Sequence, residues 1–190
     1  NDTRIAWGKV SAVQEQLKER FINAGVAEQN MVSVAAGLAS TGLKPWTYSI
    51  APFMVLRPLE QIRNDVCFHA LNVKLVGNGG GYGYGIMGPT HHLLEDFACL
   101  AGMPNMRICV PYLATDVAEA VSALSQHQGP GYLRLGLGAP LGPLASVAPF
   151  SAWRHLNAAA KPRVVVVGIG PVLGNAVLAA AGHLPSVDLW

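Results

Sequence analysis

The chain has 190 residues, 51% of them hydrophobic and only 13% charged, with 13 Lys and Arg against 11 Asp and Glu for a net charge of +2. This excludes a disordered chain, which needs low hydrophobicity and high net charge, and there are no basic runs of the kind a dedicated nucleic-acid binder uses to neutralise phosphates. The charged fraction is about half the ~25% usual in soluble domains, so much of the surface is expected to lie against a partner subunit or a neighbouring domain. The most apolar stretch, residues 164–181, is interrupted by Gly168, Gly170, Pro171, Gly174 and Asn175. It cannot supply the ~20 predominantly apolar residues of a membrane span. Residues 1–7 carry no signal-peptide core. Cys67, Cys99 and Cys109 are odd in number and widely spaced, which fits a reducing cytoplasm and neither a disulfide framework nor a cysteine zinc site.

Short apolar runs alternate with helical patterns, the signature of an α/β domain with a largely parallel sheet flanked by helices. Residues 2–9 resemble the edge of a strand with no helix before it. Residues 21–24 read as a short strand leading to a helix from about Ala27. On that helix Met31, Val34, Ala35 and Leu38 recur at i, i+3, i+4 and i+7 as the apolar face. Ala35, Ala36, Gly37 and Ala39 keep it slim, and Gly42 stops it. Strands are expected over 47–50, 73–76 and 107–110, helices over 59–70, 95–101 and 116–126, and a last strand over 132–135 closing the sheet. Residues 136–161, rich in Ala, Pro, Gly and Ser, read as an interdomain linker. A new unit then opens with a buried strand from Arg163, leading past Gly170 to a helix. It is too short to bury a core, so the chain reads as a portion of something longer. The expected division is a first domain over 1–138, a linker over 139–162 and the beginning of a second α/β domain over 163–190.

Three constellations could carry chemistry. Glu28 falls in the first turn of a helix after a strand end, where ligands bind in open α/β sheets; the same position would let it complement the helix macrodipole. Seven of the twelve residues from Gly77 to Gly88 are glycine, a loop that lets backbone approach a ligand closely. No Gly-Lys-[Ser/Thr] follows it, and no helix with an acidic partner stands where a dinucleotide fingerprint needs one. His91 and His92 adjoin this loop, with Glu95 and Asp96 just beyond. Adjacent histidines point apart and so do not share a metal ion, but one of them suits proton transfer or hydroxyl binding near neutral pH. Finally, Phe53 follows Pro52 and can be core or stack on a flat ring. Arg57, Glu60 and Arg63 are spaced as a helix-surface ion network or a subunit contact.

Together these segments resemble the pyrimidine-binding domain of the thiamine-diphosphate-dependent transketolase family. The stretch from Arg20 to Ala39, with its Ala-Glu-Gln-Asn-Met core, is similar to the family's central signature. Leu59-Glu-Gln-Ile-Arg-Asn-Asp65, Gly88-Pro-Thr-His-His-Leu-Leu-Glu-Asp96 and Pro104-Asn-Met-Arg-Ile-Cys-Val-Pro111 follow in family order. The similarity covers roughly residues 21–135, and 163–190 resembles the start of the family's C-terminal domain. The resemblance implies that Glu28 bonds the ring nitrogen of the cofactor's aminopyrimidine and favours its imino tautomer, which relays the thiazolium proton. It implies that Phe53 lies against the pyrimidine and that Ile50 stands where many members carry a second aromatic. Arg57 joins this cofactor set, and His91, with His92 and Asn78, faces substrate. The transferred unit would be a two-carbon ketol group moving between sugars.

Departures from the family pattern shift the expected substrate. Met87 stands where members acting on phosphorylated sugars often have Asp, Gly79 where they have His, and Leu137 where a phosphate-binding Arg is expected; Arg134 lies three positions earlier, on the opposite face from its strand neighbours. These changes point to an unusual sugar or a specialised acceptor. The Gly-Asp-Gly segment with a following Asn that holds Mg²⁺ and the diphosphate in the family is not present, so the resemblance implies that these ligands lie on a partner chain, in a dimer of heterodimers in the cytoplasm. A 2-oxoacid dehydrogenase β subunit or a deoxyxylulose-phosphate synthase-like enzyme would share Glu28, although the Ala-Glu-Gln-Asn-Met and Pro-Thr-His-His motifs favour transketolase over the dehydrogenase. A flavodoxin-like binding module and a degenerate scaffold subunit are the non-catalytic alternatives.

Overall fold

A computed structural model describes residues 10–136 and 149–190. Its first helix, α1 (Val10–Leu17), runs into a short 3-10 turn over Lys18–Arg20. The strand expected over 21–24 does not form. Ile22 and Val26 are largely exposed, no strand among the described residues pairs with them, and the Asn23 side chain instead accepts a hydrogen bond from the Gly25 N–H at 2.9 Å. An Asx turn of this kind leads the chain into a helix, α2 (Glu28–Ser40), which stops at Gly42 as its sequence predicts.

The buried stripe of α2 is Val32, Ala35, Ala36 and Ala39 rather than the face through Met31 and Val34. Val34 points outward and is 43% exposed. The alanines decide this outcome: with little bulk, they let α2 press against β1 (Trp46–Ile50) and the helical turns of residues 59–67. Pro52 then sits in the first turn of α3 (Ala51–Val55), where a missing N–H costs nothing. The helix expected over 59–70 is regular only in α4 (Leu59–Gln61); it widens into π-helical turns over Ile62–Cys67, with Phe68 N–H on Arg63 O and Leu71 N–H on Val66 O. Ile62, Val66 and Cys67 are thereby fully buried against α2.

The remaining elements are β2 (Lys74–Asn78), α5 (Asp96–Ala101), β3 (Arg107–Cys109), α6 (Val117–Gln126) and β4 (Gly131–Leu135). Every pairing in this four-stranded sheet is parallel, and the order is β1-β2-β4-β3. The strand over 131–135 therefore does not close the sheet. It lies inside, beside the fully apolar middle of β2, where a parallel strand covered on both faces belongs.

After residue 149 the chain is held to the first unit by Arg154, whose guanidinium makes two bonds to Asp116, at 2.9 and 3.1 Å. Within the stretch expected as a linker, Asn157 forms a bridge to Leu189. The last residues form β5 (Val164–Val166), α7 (Leu173–Ala179) and β6 (Val187–Leu189), with β5 and β6 parallel. The strand expected to be buried is exposed instead at Val164 and Val165, since α7 covers only one side of a two-stranded sheet. Leu156, Leu173, Val177, Val187 and Leu189 pack with Tyr112 of the first unit. No helix among the described residues is long and apolar enough to cross a membrane. The strand edge expected over 2–9 and the position of Leu137 lie outside the described residues.

Candidate functional site

Parallel pairing brings the carboxyl ends of β1, β2 and β4 side by side, with Ile50 opposite Asn78 and Asn78 opposite Leu135. Glu28, the first residue of α2, is only 4% exposed there. One carboxylate oxygen, Oε2, accepts from Arg57 Nη1 at 2.9 Å, and the other accepts a long 3.4 Å bond from Ser49 Oγ. Ser49 reaches it because alternate residues of β1 point inward, and in this strand the inward pair, Thr47 and Ser49, is polar.

Phe53 and Arg57 are one helical turn apart. The Arg57 guanidinium lies over the Phe53 ring, 3.8 Å from its centroid. His91 meets Phe53 edge-on, with ring centroids 5.2 Å apart, and is 6.0 Å from the ring of Tyr84. Tyr84 in turn accepts a 3.0 Å bond from Asn78 Nδ2. Glu28, Arg57, Phe53, His91, Tyr84 and Asn78 thus form one continuous run of contacts. Ile50 stands half-buried at the end of β1 beside it. His91 Nδ1 shares a 2.9 Å bond with Thr90 Oγ1, leaving Nε2 as its outward nitrogen. Across from Tyr84, burial and then the Tyr84 phenol push the hydroxyl of Tyr48 up to about 12, so it stays a neutral donor at physiological pH.

His92 turns elsewhere: its Nε2 is 2.9 Å from Gly85 O and its ring abuts Tyr82. A carbonyl only accepts, so Nε2 carries the proton in that bond. Arg57, Glu60 and Arg63 form no ion network among themselves; Arg57 reaches across to Glu28, while Arg63 bonds Asn64 and lies over Phe68. Outside Arg57 a groove of about 880 Å³ opens, bordered by Leu56, Glu60, Arg63, Phe68 and Met103.

The glycine-rich loop is shaped by what it folds over. At Gly79, whose φ is +75°, any side chain would run into the Tyr84 ring, and at Gly80 into the Arg134 guanidinium. Arg134 is not turned toward a ligand: it bonds Asp96 Oδ2 at 2.6 Å and Leu93 O at 3.1 Å. Tyr132 donates to the same Asp96 oxygen at 3.0 Å, and burial, then Asp96, push its hydroxyl far above its ordinary value. Leu93 and Gly81 bridge one another, so this buried cluster pins both ends of the loop that carries Tyr84 and leads to His91. Met87 lies exposed on the loop's outer side.

Reading the sequence alone misses Ser49, Tyr84 and the Asp96–Arg134 pair. The polar inward positions of β1 were the available signal for Ser49; Tyr84 and Asp96 depend on the loop's path. A buried carboxyl beside an aromatic face suits a flat nitrogen heterocycle, held by one hydrogen bond and stacking, and the donor set fits an aminopyrimidine. Among the described residues no three or more His, Cys, Asp or Glu side chains are grouped to hold a metal ion.

The family model of the transketolase pyrimidine-binding domain matches residues 5–138. The chain is 39% identical over 122 residues to one of the subunits of the apulose-4-phosphate transketolase of Phocaeicola vulgatus, covering 64% of this chain and 39% of that one. It is 36% identical over 131 residues to the 6-deoxy-6-sulfo-D-fructose transketolase subunit SqwH of Clostridium sp. (strain MSTE9), covering 69% and 41%. It therefore spans about two-fifths of the length of these curated relatives. Among solved structures, a split-gene transketolase described as an inactive beta4 tetramer superimposes with a TM-score of 0.75 at 31% identity, over 95% of this chain and 59% of that one. The match over 5–138 takes in the whole four-stranded parallel sheet and the buried carboxyl at its strand ends, and the chain belongs to the transketolase family through that family's pyrimidine-binding domain.

Proposed function

We propose that this chain is the pyrimidine-binding half of a two-chain transketolase that moves a two-carbon ketol unit between sugars. Thiamine diphosphate, when bound, supplies the carbanion chemistry of that transfer. The observation that carries the reading is Glu28, a buried carboxyl at the carboxyl ends of the parallel strands, bonded by the arginine that lies over Phe53. Glu28 holds and exchanges a proton at the pyrimidine ring nitrogen. Phe53 and Ile50 form the wall against that ring, and Arg57 is the cation belonging to the same subsite. His91 presents Nε2 to substrate, with Asn78 at the end of β2 and His92 next to it in sequence.

The Mg²⁺ and diphosphate ligands belong to a partner chain, and the assembly is a dimer of such pairs in the cytoplasm. Residues 1–138 form the pyrimidine-binding domain, 139–162 a linker and 163–190 the opening of the C-terminal domain. The named relatives act on an apulose phosphate and a sulfo-sugar, which supports an unusual sugar as substrate here.

The test is ketol transfer by the full chain mixed with its partner, thiamine diphosphate and Mg²⁺. Glu28→Gln keeps the side chain's shape and removes its proton exchange, so activity is expected to fall at least ~100-fold, the low end for general acid–base catalysis. An active mixture in which the variant equals wild type would show that Glu28 is not the proton relay. Transfer from pyruvate in place of a ketose donor would move the reading to the deoxyxylulose-phosphate synthase reaction.

A further inference from the structure

Two groups cannot share one face of Phe53. The Arg57 guanidinium is 3.8 Å from the ring centroid, about the thickness of one stacked ring. The edge of His91 also approaches Phe53, at 5.2 Å. A flat ring stacked on the face of Phe53 that Arg57 covers must therefore displace Arg57. The same Arg57 also occupies Oε2 of Glu28 at 2.9 Å, and the remaining oxygen has only the 3.4 Å contact with Ser49.

We infer that Arg57 is a placeholder in the pyrimidine subsite: it fills the stacking slot and caps Glu28 until a ring takes both positions. The inference rests on the function proposed above and adds to it a gate that loading must open. A buried carboxylate left without a partner is costly, so the unloaded site needs a cation, and a ring bonded to Glu28 removes that need. Arg57 is free to leave because its side chain is 45% exposed. It borders the 880 Å³ groove, where Glu60, one turn along, offers a second carboxylate.

A slot that must first be vacated lowers apparent affinity by the fraction of molecules in which it is open. The experiment measures binding of thiamine diphosphate with Mg²⁺ to the full chain, alone and joined to its partner. Association is followed by stopped-flow tryptophan fluorescence and equilibrium affinity by calorimetry. Compared with wild type, Arg57→Ala is expected to bind about tenfold more tightly and to load faster, and Arg57→Lys to fall between them, since an ammonium keeps the charge and loses the flat face. Circular dichroism confirms that each variant is folded; should the Ala variant fail, Arg57→Gln is read in its place.

Weaker binding in Arg57→Ala would make Arg57 a holder of the cofactor, and unchanged binding would make it a bystander; either overturns the placeholder. If Glu28→Gln abolishes transfer while Arg57→Ala leaves binding unchanged, the proposed function stands and the placeholder alone falls. If wild type binds no thiamine diphosphate even with its partner, both fall together.

Discussion

Lys74 stands at the start of β2 with its side chain fully buried, and its Nζ donates to the carbonyls of His127 and Gly129 at 2.9 and 2.5 Å. Burial, and then the nearby charges of Lys44 and Arg107, pull its pKa down to about 8 from the usual 10.5. Carbon-detected NMR titration of the lysine side chains is expected to show one midpoint near 8. Because the folded value is the lower one, the unfolded chain binds more protons between those two values. The group's contribution to stability is therefore flat below pH 8 and grows as pH rises through that window. At this scale the sequence makes Glu28 and His91 legible, because each sits in a short ordered motif, and Phe53 stands out only as an aromatic after Pro52. It does not reveal that Arg57 pairs with Glu28 from 29 residues away, or Arg134 with Asp96 from 38. Those partners meet only once the strands are in register.

The elements were more readable in kind than in arrangement. Both long helices and the four strands of the main sheet stand close to where apolar periodicity puts them. Periodicity cannot give strand order, and it misassigned the face of α2 because the closest packing goes to alanines rather than to the bulkier Val34. The π-helical widening of Ile62–Cys67 has no sequence signal either, since its apolar residues also suit an ordinary α-helix. Gly77 offers a test of how tightly the elements fit. It lies within β2, where an added Cβ would fall 2.7 Å from the Tyr132 hydroxyl and 3.2 Å from the Ala51 backbone. Gly77→Ala is expected to lower stability by about 1–3 kcal/mol, the usual cost of overpacking a close-packed core, read from the midpoint of urea unfolding. Because Tyr132 must move, the Asp96 cluster and the loop beyond it shift as well, and the ketol transfer proposed above is expected to drop with stability.

Across the whole molecule, few charges hold the parts together, so each buried pair matters. Arg154 and Asp116 are both more than nine-tenths buried. Burial would raise the Asp116 carboxyl, but the hydrogen bonds from Arg154 and the Leu113 N–H outweigh it and hold the group below its ordinary value. Arg154→Met leaves that carboxylate buried and unpaired, and the expected loss is about 3–5 kcal/mol, measured by chemical denaturation. Segment 149–157 and the unit beyond it should loosen first, seen as faster amide exchange at Leu156 and Leu189 with β2 still protected. Composition pointed toward a covered surface, and Val164 and Val165 of β5 stand exposed. The position of β4 has a further consequence, for synthesis rather than for the finished protein. β3 pairs with β4 and with no other strand among the described residues, yet β4 is made last of the four. A nascent chain released before residue 131 would expose one side of β2 and all of β3 as open strand edges, the surfaces most prone to sticking to other chains. Insertion of β4 between two strands already made covers the open side of β2 and one side of β3, and slow translation just before residue 131 would lengthen the interval in which aggregation competes with folding.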